Sequence, residues 1–420
     1  MPYSARPELP SLLNPQSQVA RLTEAPEVRA AGDWFRRHEA RFAGWQKEIT
    51  AIAAPPFGEG ERGAWLAKRF AELGLEDVHR DAVGNVFGIY PGAGRSCVSL
   101  SAHLDTVFPA GTPLRIREEK SRLYGPGISD NAAGLTAMLA MAAWLQSSPI
   151  TLGSPVVFVG NVGEEGEGDL RGMRHIFTEP RWRDTIACSL ILDGAGSDSI
   201  VAEALGSRRF QVTVSGPGGH SWSDFGTANP IVVLASAIQR FTATAVPTLP
   251  KTTYNIGVIA GGTSVNSVPE SASMRVDMRS GSPAEIDRLE QILRECLHAA
   301  VEREAASSQG RRASLVRQAG LRLDIVSIGD RPAGELAPTA RILQVLRAVD
   351  AHLGISAQVQ RASTDANIPL SMGREAIAIG GGGTGGGAHT LQEWFDATGR
   401  ELGLKRVLLT LLALAQATPR

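Results

Sequence analysis

Pro155-Val-Val-Phe-Val-Gly160-Asn-Val-Gly-Glu-Glu165-Gly-Glu167 joins an apolar run to two adjacent carboxylates. The run is short, β-branched and free of polar alternation, which predicts a strand buried on both faces. Such strands belong to parallel sheets covered by helices. Beyond it, Glu164 and Glu165 sit close enough for each to disfavour ionisation of the other. A bound cation resolves that conflict, with one carboxylate ligating it and the other left to take a proton from an activated water.

The same pattern recurs on either side. Residues 85–90, 97–102 and 189–192 read as further apolar strands, and 132–145 as a helix rich in Ala, Leu and Met. Helical patterns also cover 27–53 and 60–73, the second closed by Gly74. Near Gly206 the character changes, because 210–215 alternates apolar and polar residues as a half-exposed strand does. A helix at 230–241, strands at 254–260 and 272–279, a long helix from Pro283 to about Ala305 and a strand at 321–328 complete an α+β sandwich with one open sheet face. After Arg331 the buried pattern resumes with a helix at 339–353, a strand at 376–379 and a helix at 399–416. The expected fold is α/β: a mostly parallel-sheet domain of residues 27–205 and 330–420, interrupted by an α+β insert of residues 206–329. Residues 1–26, rich in Pro, Ser, Asn and Gln, are expected to form an N-terminal arm.

A chain of 420 residues can build two such cores without disulfide or metal staples. Lys plus Arg number 42 against 43 for Asp plus Glu, a formal net charge of -1, which argues against nucleic acid or an anionic membrane as the main partner. Cys97, Cys188 and Cys296 are odd in number and far apart, as expected of apolar residues in a reducing compartment. Neither a signal-peptide pattern nor an apolar span long enough for a bilayer is visible, so the expected location is cytoplasmic.

Four other segments carry candidate ligands. His103 and Asp105 lie in Ser101-Ala-His-Leu-Asp-Thr-Val107, where residues two apart on extended chain point the same way. Asp105 could then accept the second ring N–H of His103, although a solvated aspartate beside a strand-end histidine would read the same. Asp130, in Tyr124-Gly-Pro-Gly-Ile-Ser-Asp-Asn131, precedes the apolar helix, where an aspartate also serves as an ordinary cap. Asp193 ends a strand before Gly194-Ala-Gly196, and His389 follows the seven glycines and one threonine of 380–387. Singly, each has an ordinary explanation. Together, His103, the Glu164–Glu165 pair and Asp193 all sit past the C-terminal ends of expected parallel strands, with Asp130 opening a helix on that sheet. Open α/β sheets place ligands at that edge. Imidazoles and carboxylates without thiolates suit zinc, or two zinc ions sharing a carboxylate, and the same ligands tolerate manganese or cobalt.

In order and wording these motifs resemble the two-zinc exopeptidase and amidohydrolase family of peptidase T, carboxypeptidase G, aminoacylase, carnosinase-type dipeptidases and succinyl-diaminopimelate desuccinylase. The resemblance runs from about Glu27 to the C-terminus. It implies that Asp130 bridges two metal ions, with His103 and Asp193 completing one site and Glu165 and His389 the other. It further implies that Glu164 is the general base, that Asp105 holds the histidine ligand, and that the insert is a lid or dimerisation domain. Within the insert, Gly216-Pro-Gly-Gly-His220-Ser matches the motif whose histidine steadies the tetrahedral intermediate. Asn266 and Arg279 match substrate-binding positions. An aspartate at position 193 is commoner among that family's aminopeptidases and dipeptidases, and a glutamate among its deacylases and carboxypeptidases. The implied activity is therefore that of a peptidase T-like aminopeptidase on short peptides, working as a homodimer through the insert. An N-acyl-amino-acid amidohydrolase or carboxypeptidase is the alternative, and a metal-binding scaffold without activity is the alternative from another class. His38, His79, His175, His298 and His352 read as solvated or packed, and Thr364 and Asp365 as either pocket or plain turn.

Overall fold

The computed structural model of the protein describes residues 14–311 and 320–419. They divide into two compact units, one formed by the chain up to Ala204 and from Gly334 onward, the other by Leu205–Ala333.

The larger unit is built on a mixed sheet whose four central strands run Val156–Asn161, Cys97–His103, Ile186–Leu192, Glu375–Ile379 and are mutually parallel. Its flanks are less uniform than a mostly parallel sheet. Val86–Tyr90 joins one side and Ser199–Ala204 the other, both antiparallel to their central neighbours. The four central strands are covered on both faces, whereas the exposed strand Gln358–Ala362 adds a further parallel pairing at the flank, to Ser199–Ala204. Val156 and Phe158 join the apolar cluster on one side, together with Leu190, Leu192, Ile377 and Ile379. Val157 and Val159 join the cluster on the other side, with Ile191, Ala376 and Ala378. This period of two is why an unbroken apolar run was required. Helix Ala132–Ser147 is buried at every position from Ala132 to Leu145, so it lies inside the first cluster and has no polar stripe.

One expectation for this unit gains detail and one is corrected. The part of the N-terminal arm that falls within the described residues is a helix, Pro15–Glu24, capped by Asn14 and burying Val19 and Leu22. Gln18 ties it down, donating to the Ala413 carbonyl at 2.5 Å and accepting from Arg341 at 2.9 Å; residues 1–13 of that arm lie outside the described residues. The single helix expected over 27–53 is three pieces, Pro26–Arg29, Ala31–Arg37 and Glu39–Thr50. At the second break the His38 ring sits 2.8 Å from the Trp34 carbonyl, so a side chain competes inside the helical ladder.

The smaller unit is a four-stranded antiparallel sheet, in the order Thr252–Gly261, Ser271–Ser280, Gly206–Ser215, Arg322–Arg331, with helices Pro230–Thr242 and Pro283–Arg311. Register pairs Phe210 with Val276 and Val212 with Met274, all buried against Val233, Leu234, Leu289 and Leu293 of the helices. Alternate residues of the strands face away from this core, as the alternation near Phe210 predicts.

Candidate metal centre

The strand Cys97–His103 delivers a buried His103 at its C-terminal end. Its Nδ1 lies 3.0 Å from the main-chain oxygen of Asp105 and 3.8 Å from the Asp105 carboxylate. The aspartate side chain is thus not the acceptor expected for the ring. The strand ends at His103, so the spacing rule for extended chain no longer applies two residues later. A carbonyl can only accept, which puts a proton on Nδ1 and turns Nε2 toward the centre. The Asp105 carboxylate instead accepts the main-chain N–H groups of Glu164 at 3.0 Å and Glu165 at 2.7 Å. It therefore fixes the turn that carries the acidic pair.

That turn needs Gly163, at φ +71, where a Cβ would come within 2.7 Å of the Arg171 side chain. Glu164 and Glu165 are both buried. Burial pushes the Glu165 carboxyl up to about 7, a tendency the nearby His103 and His389 rings oppose. Asp130 stands between the two histidines, with Oδ1 3.1 Å from His103 Nε2 and Oδ2 3.1 Å from His389 Nε2. Burial disfavours its charge, yet the two imidazoles hold it well below the usual carboxylate range. His389 Nε2 also lies 3.1 Å from Glu165 Oε1, and His103 Nε2 3.8 Å from Asp193 Oδ1. The Asp130 hydrogen bond raises His389 to about 9 against the effect of burial. Burial likewise opposes charge on His103, and Asp130 and Asp193 more than offset it, so its pKa lies well above the ordinary value.

His103, Asp130 and Asp193 bring one ligand atom each within 4.8 Å of one another, as do Asp130, Glu165 and His389. Asp130 belongs to both trios. A third trio, His103 with Glu164 and Glu165, brings Glu164 alongside without Asp130. The donor set, imidazole and carboxylate with no thiolate, fits zinc or a similar divalent ion in each trio. The crowding of buried acids around two imidazoles is also what a pair of cations would relieve.

Three supporting groups were not foreseen. Glu393, completely buried four residues after His389, accepts N–H groups from Gly127 at 2.8 Å and from Ser129 and Asp130 at 2.7 Å. Asn131 donates to the Leu192 carbonyl and accepts from Gly194 and Gly134, tying the Asp130 loop to the Asp193 loop. Asn161, the register neighbour of His103, donates to Asp365 at 2.7 Å. Asp365 is buried, which pushes its carboxyl up to about 7, so it backs the centre and does not line an open pocket. A lone acid between Gln392 and Trp394 gives no periodic signal; the Asn after Asp130 was the readable cue. The glycine run before His389 is also packed: a Cβ at Gly385 would meet Ser129 Oγ at 2.3 Å.

The smaller unit holds the other three candidates. His220 lies in a two-residue strand paired with Ser267–Val268, and Ser221 donates to the Asn266 carbonyl at 2.9 Å, so His220 and Asn266 are neighbours. His220 Nδ1 accepts the Trp222 N–H at 3.1 Å, which leaves the ring proton of the neutral form on Nε2. Arg279 stands on the strand Ser271–Ser280, its Nε donating to Asp277 at 2.7 Å, while Arg209 occupies the other Asp277 oxygen at 2.9 Å.

The profile described as Peptidase family M20/M25/M40 matches residues 99–414. Carboxypeptidase G2 of Pseudomonas sp. strain RS-16 is 24% identical over 247 residues, which span 57% of this chain and 59% of that protein, under two thirds of its length. Among solved structures, aminopeptidase PepT from Bacillus cereus superposes with a TM-score of 0.70 at 20% identity, covering 90% of this chain and 98% of that one. A tripeptidase from Staphylococcus aureus gives 0.71 at 20% identity, covering 90% and 99%. At that identity the likeness is one of fold.

Proposed function

Since this chain belongs to peptidase family M20/M25/M40 and is a hydrolase of that family, we propose that it cleaves short peptides as a two-metal aminopeptidase with Glu164 as general base. The observation that carries the reading is the pair of ligand trios sharing Asp130, with Glu164 beside them. In this reading His103, Asp130 and Asp193 hold one ion, and Asp130, Glu165 and His389 the other, zinc being the metal and manganese or cobalt acceptable substitutes. Such ions supply a water of lowered pKa and polarise the scissile carbonyl. Glu164 removes a proton from the attacking water and returns it to the amine nitrogen as the carbon–nitrogen bond breaks. Asp105, by gripping both Glu main-chain N–H groups, fixes the main chain from which Glu164 and Glu165 project. His220, with its proton on Nε2, donates to the oxyanion. Asn266 and Arg279 bind the substrate backbone or carboxylate.

The aspartate at 193 favours an aminopeptidase. The likeness to carboxypeptidase G2 favours a second reading, an amidohydrolase or carboxypeptidase releasing a C-terminal or N-acylated amino acid. A metal-binding scaffold has no use for a base beside its ligands, which counts against the third. The partner in solution is a second copy of this chain, docked through the smaller unit: its sheet ends on the strand Thr252–Gly261, where Val258 is 49% and Ile259 59% exposed. Unpaired thiols and balanced charge suit a cytoplasmic enzyme. No helix among the described residues is long and apolar enough to cross a membrane.

Zinc-loaded protein should be incubated with di- and tripeptides, N-acetyl amino acids and folate-like amides, and the products weighed by mass spectrometry. Release of the N-terminal residue is expected. Glu164→Gln should lower turnover by at least ~10²–10⁴-fold with metal content unchanged. Near-normal turnover in that variant would remove Glu164 from the mechanism, and cleavage of acyl amides alone would favour the second reading.

A further inference from the structure

Glu393 carries a negative charge into the interior and spends it on main-chain N–H groups. Its Oε1 accepts from Ser129 and Asp130 and its Oε2 from Gly127, all at 2.7–2.8 Å. Its own main-chain oxygen accepts from Gly125 at 2.9 Å. Burial raises its pKa, and those three N–H donors pull the other way. Every donor lies in the segment 125–130, immediately before helix Ala132–Ser147. Glu393 itself stands four residues after His389 and just before the strand Trp394–Asp396, which pairs with Arg122–Tyr124. One side chain thus joins the loop of the shared Asp130 to the loop of His389, while touching neither ligand side chain in any hydrogen bond described above.

We propose that Glu393 is the positioning residue that sets the spacing of the two metal ions, by fixing the main chain of Asp130 relative to His389. This rests on the two-metal reading of the centre. Asp130 must present Oδ1 to one side and Oδ2 to the other, and rotation of its main chain would move both oxygens together. A carboxylate can accept from both sides at once. A glutamine cannot, since its amide nitrogen would face an N–H donor. The loop would then relax on one side, and both ions would feel it. Residues that orient ligands in this way typically contribute 10–100-fold to metal affinity.

The test uses manganese(II) as the probe on the full-length chain. Wild type should bind two ions per chain and give the paramagnetic resonance spectrum of a spin-coupled pair. Glu393→Gln should bind two ions at saturation, with both affinities weakened by about 10–100-fold and with altered coupling. Asp350→Asn, remote from the centre, serves as the packing control: it should lower the melting temperature without changing either readout. Should Glu393→Gln not fold, Glu393→Asp is titrated in its place, since it keeps the charge but shortens the reach. Affinities and coupling equal to wild type in the folded variant overturn the proposal while leaving the two-metal reading standing. Fewer than two ions in wild type overturns both.

Discussion

His103 and His389 make the metal-free centre a store of protons. The neighbouring carboxylates raise His389 to about 9 and His103 well above its ordinary value, so both rings favour the protonated form in the metal-free centre. An ion can bind Nε2 only after the proton leaves, so binding from pH 7 should release protons from the rings and from Glu165. Apparent affinity should therefore climb steeply between pH 7 and 9, and titration calorimetry in buffers of different ionisation enthalpy would count the protons. The same shifts act on folding. A histidine whose folded pKa is raised stabilises the protein fully below its unfolded value, about 6.5, and loses that contribution as pH rises through the folded value. The metal-free protein should accordingly lose melting temperature between about pH 6.5 and 9, and the metal-loaded protein should not. A pH-independent affinity would mean that the rings are already neutral.

Packing of whole elements depends on a buried ion pair far from the chemistry. Arg406, on helix Arg400–Leu414, donates to both oxygens of Asp350, on helix Arg341–Leu353, at 2.6 and 2.8 Å. Removing one partner strands the other without water, so Asp350→Ala should cost about 3–5 kcal/mol in denaturant unfolding. A loss below 1 kcal/mol would mean that solvent reaches the guanidinium. This pair was invisible in the sequence, as were the strands Ser199–Ala204 and Gln358–Ala362. The second of these is almost wholly exposed and carries no apolar pattern. The central strands were legible because burial on both faces admits few polar residues, and two of those present, Ser99 and Ser189, pair with each other at 2.8 Å. The five candidate ligands stood out for a related reason, since each stands where an apolar strand or glycine-bracketed loop stops. Glu393 acts on main-chain groups, which have no letter in the sequence.

At the scale of the molecule, the dimer we propose would have His220 serve the partner's centre. Glu164→Gln and His220→Ala proteins should each be inactive alone. Mixed and allowed to exchange, they should recover one competent centre per mixed dimer, read as a return of peptide hydrolysis. Exchange proven by mass without recovered activity would confine His220 to its own chain. The way the smaller unit is attached has a consequence of another kind. The chain departs after Ala204 and returns at Gly334, and these two residues are paired antiparallel in the larger sheet. The larger unit is thus stitched shut across the gap by its own hydrogen bonds, and a two-residue turn would suffice to join the ends. In evolutionary terms the intervening segment is a cassette. Its exchange at a single hairpin would leave unshifted the register of every strand that carries a candidate ligand.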